Sequence, residues 1–355
     1  MRRHDRRQYG SDMRPETQAN TVHAVTRSYA SGSMWFAAAI LVVSVLVAPL
    51  PVSGSNAQAR PDSHSQIVAT RGTAHSTAAT SGTATPRRTL KFNKGLLWKI
   101  ESRGRQPSYL FGTIHSADPR VTRLPPPVRA AFDEASSFTM ELLISGAGIV
   151  SMAEAMFFSG DQTLRSVVGE DLYVKTQQAM TDHGLPIQGL NKKKPWVVLM
   201  LLSTPRPEPR LALDMLLQLQ ATVQGKQIYG LETMEEQIAV FNDMPIDEQV
   251  ALLQDTIRLR ANIDRQFESM LQAYRNRDLA VLMSLVYESG PQGTPAYDNL
   301  LERLLARRNT IMVKRMRAQI EAGNAFIAIG AAHLAGEHGL LRLLEQEGYR
   351  ITAVY

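Results

Sequence analysis

The chain has 355 residues, 44% of them hydrophobic, which is length and apolar content for one large domain or two small ones. It carries a formal net charge of +6 and no cysteine. The missing thiols exclude a disulfide framework, a thiolate metal site, a cysteine nucleophile and a lipid-modified cysteine, so any metal must be held by His, Asp or Glu.

Much of the positive charge is local. Residues 1–33 hold six arginines (Arg2, Arg3, Arg6, Arg7, Arg14 and Arg27) against Asp5, Asp12 and Glu16, a local excess of +3 that lies outside the expected fold. With no domain-scale basic stripe carrying interleaved aromatics, a nucleic-acid partner is not expected. Residues 1–33 read as a long basic n-region or as a start placed too far upstream. Residues 34–50 are almost wholly apolar, and Ala57-Gln58-Ala59 follows. Basic residues, an apolar run and an Ala-x-Ala end are the parts of a secretory signal, so residues 34–59 read as a signal peptide or an uncleaved N-terminal anchor. Both readings export the remainder to the periplasm or cell envelope, the second with a membrane tether through residues 34–50. Residues 60–88 are rich in Ser, Thr and Ala, with almost no large apolar side chains, and read as a disordered linker.

The folded domain is expected over residues 89–355. Residues 96–100 and 108–114, separated by a turn-rich segment, read as two strands of a hairpin. The second ends in Tyr109-Leu110-Phe111-Gly112-Thr113-Ile114-His115. Prolines then open a helix near residues 124–134. Residues 137–144 are a third apolar strand carrying one acid, Glu141, which is costly in such a place unless paired or bound to a metal. Residues 148–290 read as mostly helical, with breaks at Gly184, the 205–209 proline cluster, Gly225 and Pro245. Asp214 sits on one largely apolar helix there, and residues 226–232, ending in Glu232, are a short strand leading into a helix. Residues 247–287 read as core-forming amphipathic packing. Residues 300–321 are helical and basic, and most of those charges read as a solvated face. The chain closes with Phe326-Ile327-Ala328-Ile329-Gly330-Ala331-Ala332-His333, a helix over 339–348 and a strand over 349–354, which together predict a right-handed crossover.

Two apolar strands thus end in Gly-x-x-His, in a chain with eight histidines. The carboxyl end of a buried strand is where α/β proteins place ligands, and Gly112 and Gly330 lack the Cβ that would hinder a sharp turn or a close approach. Two imidazoles presented in this way can share a site. Glu141 would complete a His, His, Glu set suited to a divalent transition metal.

These segments resemble the TraB/GumN family, related to the Tiki proteases and more distantly to ChaN and the erythromycin esterases. The resemblance runs over residues 90–355. It rests on the two Gly-x-x-His phrases, Glu141, Leu213-Asp214, residues 225–237, Arg308-Asn309 and Gly348-Tyr349. It implies an α/β (α+β) fold in which a central mixed sheet is surrounded by helices, with a large helical insertion between the two Gly-x-x-His strands. It also implies a site of His115, His333, Glu141 and Arg308, and a metal-dependent peptidase acting on a peptide or protein substrate. The metal would be manganese, cobalt or zinc, held by His115, His333 and Glu141. Glu141 would serve as third ligand or general base, and Arg308 would stabilise an oxyanion or anchor a substrate carboxylate. Gly112, Gly330, Asp214, Glu232 and Asn309 would support the site or the substrate, Asp214 and Glu232 alternatively tying helices to the sheet. A helical His-Glu-x-x-His motif and a Gly-x-Ser-x-Gly elbow are both absent. Two other readings stay open: a non-catalytic envelope protein that binds a peptide or a haem-like ligand in the same pocket, and a scaffold whose histidines only hydrogen-bond across strand ends.

Overall fold

The computed structural model describes residues 91–205, 210–290 and 294–355. The expectations for residues 1–33, 34–59 and 60–88 lie outside the described residues. Six strands form one mixed sheet: β1 (Leu97–Glu101), β2 (Ser108–Thr113), β3 (Ser137–Leu142), β4 (Gln227–Glu232), β5 (Ala325–Gly330) and β6 (Arg350–Ala353). Their spatial order is β4-β3-β5-β2-β1-β6. The pairs β4–β3, β3–β5 and β5–β2 are parallel, whereas β2–β1 and β1–β6 are antiparallel. The expected hairpin is therefore present, with Leu97 opposite Phe111 and Ile100 opposite Ser108.

Every residue of β3 and β5 is buried, as expected for parallel strands covered on both faces. Their apolar side chains are the main local drive: each of Phe326, Ile327 and Ile329, fully removed from water, contributes roughly 1.5–3 kcal/mol. Phe138 stands beside Phe326 in register, and Phe132 of the Pro126–Glu134 helix meets Phe326 edge-on at 5.3 Å between centroids. That helix, opened by proline at its first turn, covers this part of the sheet.

Between β2 and β5 the chain is mostly helical, as expected, but it also contributes β3 and β4 to the sheet. Residues 247–287 are three helices, Ile246–Leu259, Ile263–Arg275 and Leu279–Glu288. The breaks fall at the 3-10 turn Arg260–Asn262 and at Arg277, whose φ of 58° ends the second helix. The apolar side chains form two clusters, one around the sheet and one around the buried Pro195–Leu202 helix, and Leu304 packs against both. The closing crossover is wider than an adjacent strand-helix-strand unit. After β5 the chain passes through the Leu340–Gln346 helix and joins the sheet edge as β6, with β2 and β1 lying between. Among the described residues no helix is long and apolar enough to cross a membrane.

Candidate active site at the ends of β2 and β5

β2 and β5 are neighbours, with Thr113 opposite Gly330 at their carboxyl ends. Past Thr113 the chain leaves the sheet towards His115, and past Gly330 it forms the 3-10 turn Ala331–His333. Parallel pairing in this register brings the two motifs side by side. A Cβ on Gly112 would lie 3.2 Å from Ala331 Cβ and 3.3 Å from Leu334 Cδ2, so the glycine allows one motif to pack on the other. Gly330 has an ordinary φ of −50° and serves differently, its N–H donating to Glu141 Oε1 at 2.7 Å.

Glu141 comes from β3, on the other side of β5, and is 4% exposed. Its Oε2 accepts from Arg308 Nη2 at 2.7 Å. Arg308 is shared: Nε and Nη2 donate to Glu232 Oε1 and Oε2, at 2.8 and 2.7 Å. Glu232, the last residue of β4, also accepts from Gln237 Nε2 at 3.2 Å. Arg308 opens the Arg308–Ala322 helix directly after a π-helical stretch, Glu302–Arg307, a distortion of the kind that often re-aims a side chain at a functional site. Its Nη1 donates to Leu304 O and lies 3.4 Å from His333 Nε2.

Asp214 stands in the first turn of the Leu213–Val223 helix, which docks on the first motif through Leu213 N–H to Ser116 O at 3.0 Å. Its Oδ1 accepts from the Thr113 hydroxyl, and its Oδ2 lies 2.6 Å from His115 Nδ1. The far nitrogen, His115 Nε2, is buried without a hydrogen-bond partner. Asn309 performs the corresponding service for His333, its Oδ1 lying 2.6 Å from His333 Nδ1. Tyr274 OH donates to Gly112 O at 2.9 Å and anchors the first motif from the Ile263–Arg275 helix.

The electrostatics follow from burial and neighbours. Burial opposes the charged form of Glu141, but the Arg308 charge, the two histidines and the Gly330 N–H overcome it and hold the carboxyl at about 2. Burial, with Arg308 and His115 adding to it and Glu141 opposing, pushes His333 down to about 3. Burial also acts against charging His115, but Asp214 and Glu141 outweigh it and raise its pKa. Arg308 stays charged because Glu141 and Glu232 outweigh its burial.

Two buried carboxylates, Glu141 and Glu232, thus share one buried guanidinium, and a third, Asp214, stands against His115. Buried charge of this kind is costly unless compensated, and cationic partners, a divalent ion among them, would offset it. The histidines suit such a cation. His115 Nε2 is an orphaned buried nitrogen, and its ring is oriented at Nδ1 by a carboxylate, the arrangement usual behind a metal-ligating imidazole. Glu141 fits less directly, since both its oxygens already accept hydrogen bonds, and Oε1 lies 4.0 Å from His333 Nε2. Among the described residues no group of three His, Asp or Glu side chains is gathered for a metal. Two surface cavities, of about 240 and 830 Å³, lie elsewhere, in the helical part, and none of the residues above lines them.

A mixed sheet whose two adjacent inner strands are each followed within three residues by a histidine, with a carboxylate and an arginine buried beside them, defines an α/β protein with a polar site at its strand ends. The chain belongs to the TraB/PrgY/gumN family, whose model matches residues 96–353. It is 26% identical over 313 residues to the metalloprotease TIKI2 of Danio rerio, covering 72% of this chain and 60% of that protein. It is also 26% identical over 309 residues to the metalloprotease TIKI1 of Homo sapiens, with 72% and 61% covered. The chain thus spans about three-fifths of the length of the curated relatives it matches. No solved structure matches it.

The structure places the residues expected from the sequence, His115, His333, Glu141, Arg308, Gly112, Gly330, Asp214, Glu232 and Asn309, in this one region, but it does not gather His115, His333 and Glu141 as a metal set. Sequence reasoning missed Thr113 and Tyr274. Thr113 stands inside the first motif, where its alternation with the histidine was a usable signal. Tyr274 had none, since its partner is 162 residues away.

Proposed function

We propose that the protein is a metal-dependent, peptidase-like hydrolase whose ion is held by His115 and His333, with Glu141 as the third donor. The observation that carries this reading is His115 Nε2, a buried nitrogen with no partner, on a ring whose Nδ1 lies 2.6 Å from Asp214 Oδ2. When bound, the ion supplies Lewis acidity towards a peptide carbonyl and acidifies water. The remaining roles belong to the chain. Glu141, held ionised at about 2, is a weak proton acceptor and a strong counter-charge, which favours the ligand role over that of general base. Arg308 presents N–H donors beside His333 and fits the stabilisation of negative charge developing on a substrate oxygen. The names of the relatives support a peptide or protein as substrate.

Elemental analysis of purified protein tests the reading, with manganese, cobalt and zinc loaded in turn. About one divalent ion per chain, lost in His115→Ala and His333→Ala, is expected. No bound ion under any loading overturns it.

The second reading, a non-catalytic envelope protein that captures a ligand in the same place, is favoured by the Glu141–Arg308 pair, which occupies the proposed third donor. Glu141→Gln separates the two, because a hydrolase loses turnover while a binder keeps affinity. We further propose that residues 34–59 direct export, with cleavage near Ala59. N-terminal sequencing of the envelope fraction tests this, and an intact residue 1 would refute cleavage.

A further inference from the structure

Asn309 is 2% exposed and follows Arg308 on the same helix. Its Nδ2 lies 3.2 Å from His333 O and 2.7 Å from His338 O. Both oxygens are backbone carbonyls and can only accept, so this end of the amide is the NH2 group, donating to both. The other end is therefore the carbonyl oxygen, Oδ1, 2.6 Å from His333 Nδ1. An amide oxygen has no proton to give, so Nδ1 carries one. A neutral imidazole has a single N–H. Nε2 is then bare. The far side of the ring agrees independently: the nearest donor to Nε2 is Arg308 Nη1 at 3.4 Å, and a guanidinium only donates.

We propose that Asn309 is a positioning residue that locks His333 in its Nδ1–H form and so keeps an unprotonated Nε2 turned towards Arg308 and Glu141. The two histidines are held at Nδ1 by different chemistry. His115 Nδ1 faces a carboxylate, which makes its ring more basic, whereas His333 Nδ1 faces a neutral amide, which fixes the proton without adding basicity. The tautomer is a property of the protein alone, and its consequence for metal binding rests on the two-histidine site proposed above.

The test is a two-bond proton–nitrogen correlation on histidine-labelled, chelator-treated protein near neutral pH, with His333 assigned by its absence in His333→Gln. The expected pattern for wild type is Nδ1–H with unprotonated Nε2. Asn309→Leu is expected to lose it, and Asn309→Asp to keep it, because a carboxylate also accepts from Nδ1–H although it cannot donate to the two carbonyls. Zinc affinity is expected to fall about 10–100-fold in Asn309→Leu and only a few-fold in Asn309→Asp. An Nε2–H pattern in wild type overturns the proposal whether or not the variants fold. So does an Nδ1–H pattern that survives in Asn309→Leu, or one lost equally in both variants, which would make Asn309 a clamp on the two carbonyls alone. An Nδ1–H wild type that binds no zinc upholds the tautomer and instead refutes the metal-dependent reading.

Discussion

Arg308 is the residue on which the buried charges depend. It pairs with Glu141 and Glu232 at 2.7 Å, and all three side chains are nearly sealed from water. Arg308→Met leaves two buried carboxylates uncompensated, so the unfolding free energy in urea is expected to drop by about 3–5 kcal/mol. Adding Glu141→Gln and Glu232→Gln is expected to restore most of it, a result that a purely steric role for Arg308 would not give. Acid sensitivity also belongs at this scale. Glu141 sits at about 2 in the fold against an ordinary 4.5, and His333 at about 3 against 6.5. Both are depressed, so each contributes stability that is present above the ordinary value and lost as pH falls through the folded one. His115 is raised and has the opposite sign: its contribution is complete below 6.5 and fades as pH rises above that value. Chelator-treated protein is therefore expected to be most stable near neutrality and to weaken steadily from about pH 6.5 towards 3. His333→Gln is expected to flatten the upper part of that decline, and a denaturation midpoint unchanged between pH 7 and 4 would contradict the assignment.

Among the elements, the contact between the two Gly-x-x-His motifs is the tightest part of the site. The added methyl of Gly112→Ala meets Ala331 and Leu334 at 3.2–3.3 Å, and is expected to cost about 1–3 kcal/mol of stability and to separate the histidines. Calorimetry with parallel zinc titration checks this, and a variant with unaltered midpoint and affinity would show that the motifs have room to move. The strands themselves were legible because apolar runs of strand length, such as residues 325–330, have one reading once they are too short for a helix. Glu141 was legible because a carboxylate amid Met140, Leu142 and Leu143 needs a partner. The π-helical turn before Arg308 was not, since its residues have an ordinary helical pattern and only long-range pairing with Glu141 and Glu232 makes the extra residue worthwhile. Thr113 was overlooked for a similar reason: its acceptor, Asp214, lies 101 residues further on. The single long amphipathic stretch became three helices because periodicity does not register a turn that keeps the apolar face in phase.

For the whole molecule, burial ranks the parts. β5 is buried at every position and paired on both sides, whereas β6 is an edge strand exposed at three of its four residues. Hydrogen exchange is expected to be slowest at the amides of β5 and fastest among the strands at β6. Equal protection across the sheet would mean that it opens only as one unit.

The position of β5 bears on how such a chain is made. The strand that joins the two halves of the sheet is synthesised after both, because β3–β4 and β1–β2 are complete long before residues 325–330 leave the ribosome. Until then, β2 and β3 each present an open inner edge to whatever is nearby. His115 waits for its neighbour throughout that interval. Any product ending before Ala325 has two unjoined half-sheets and one motif, so premature termination yields aggregation-prone chains lacking the site, not shortened proteins with partial activity.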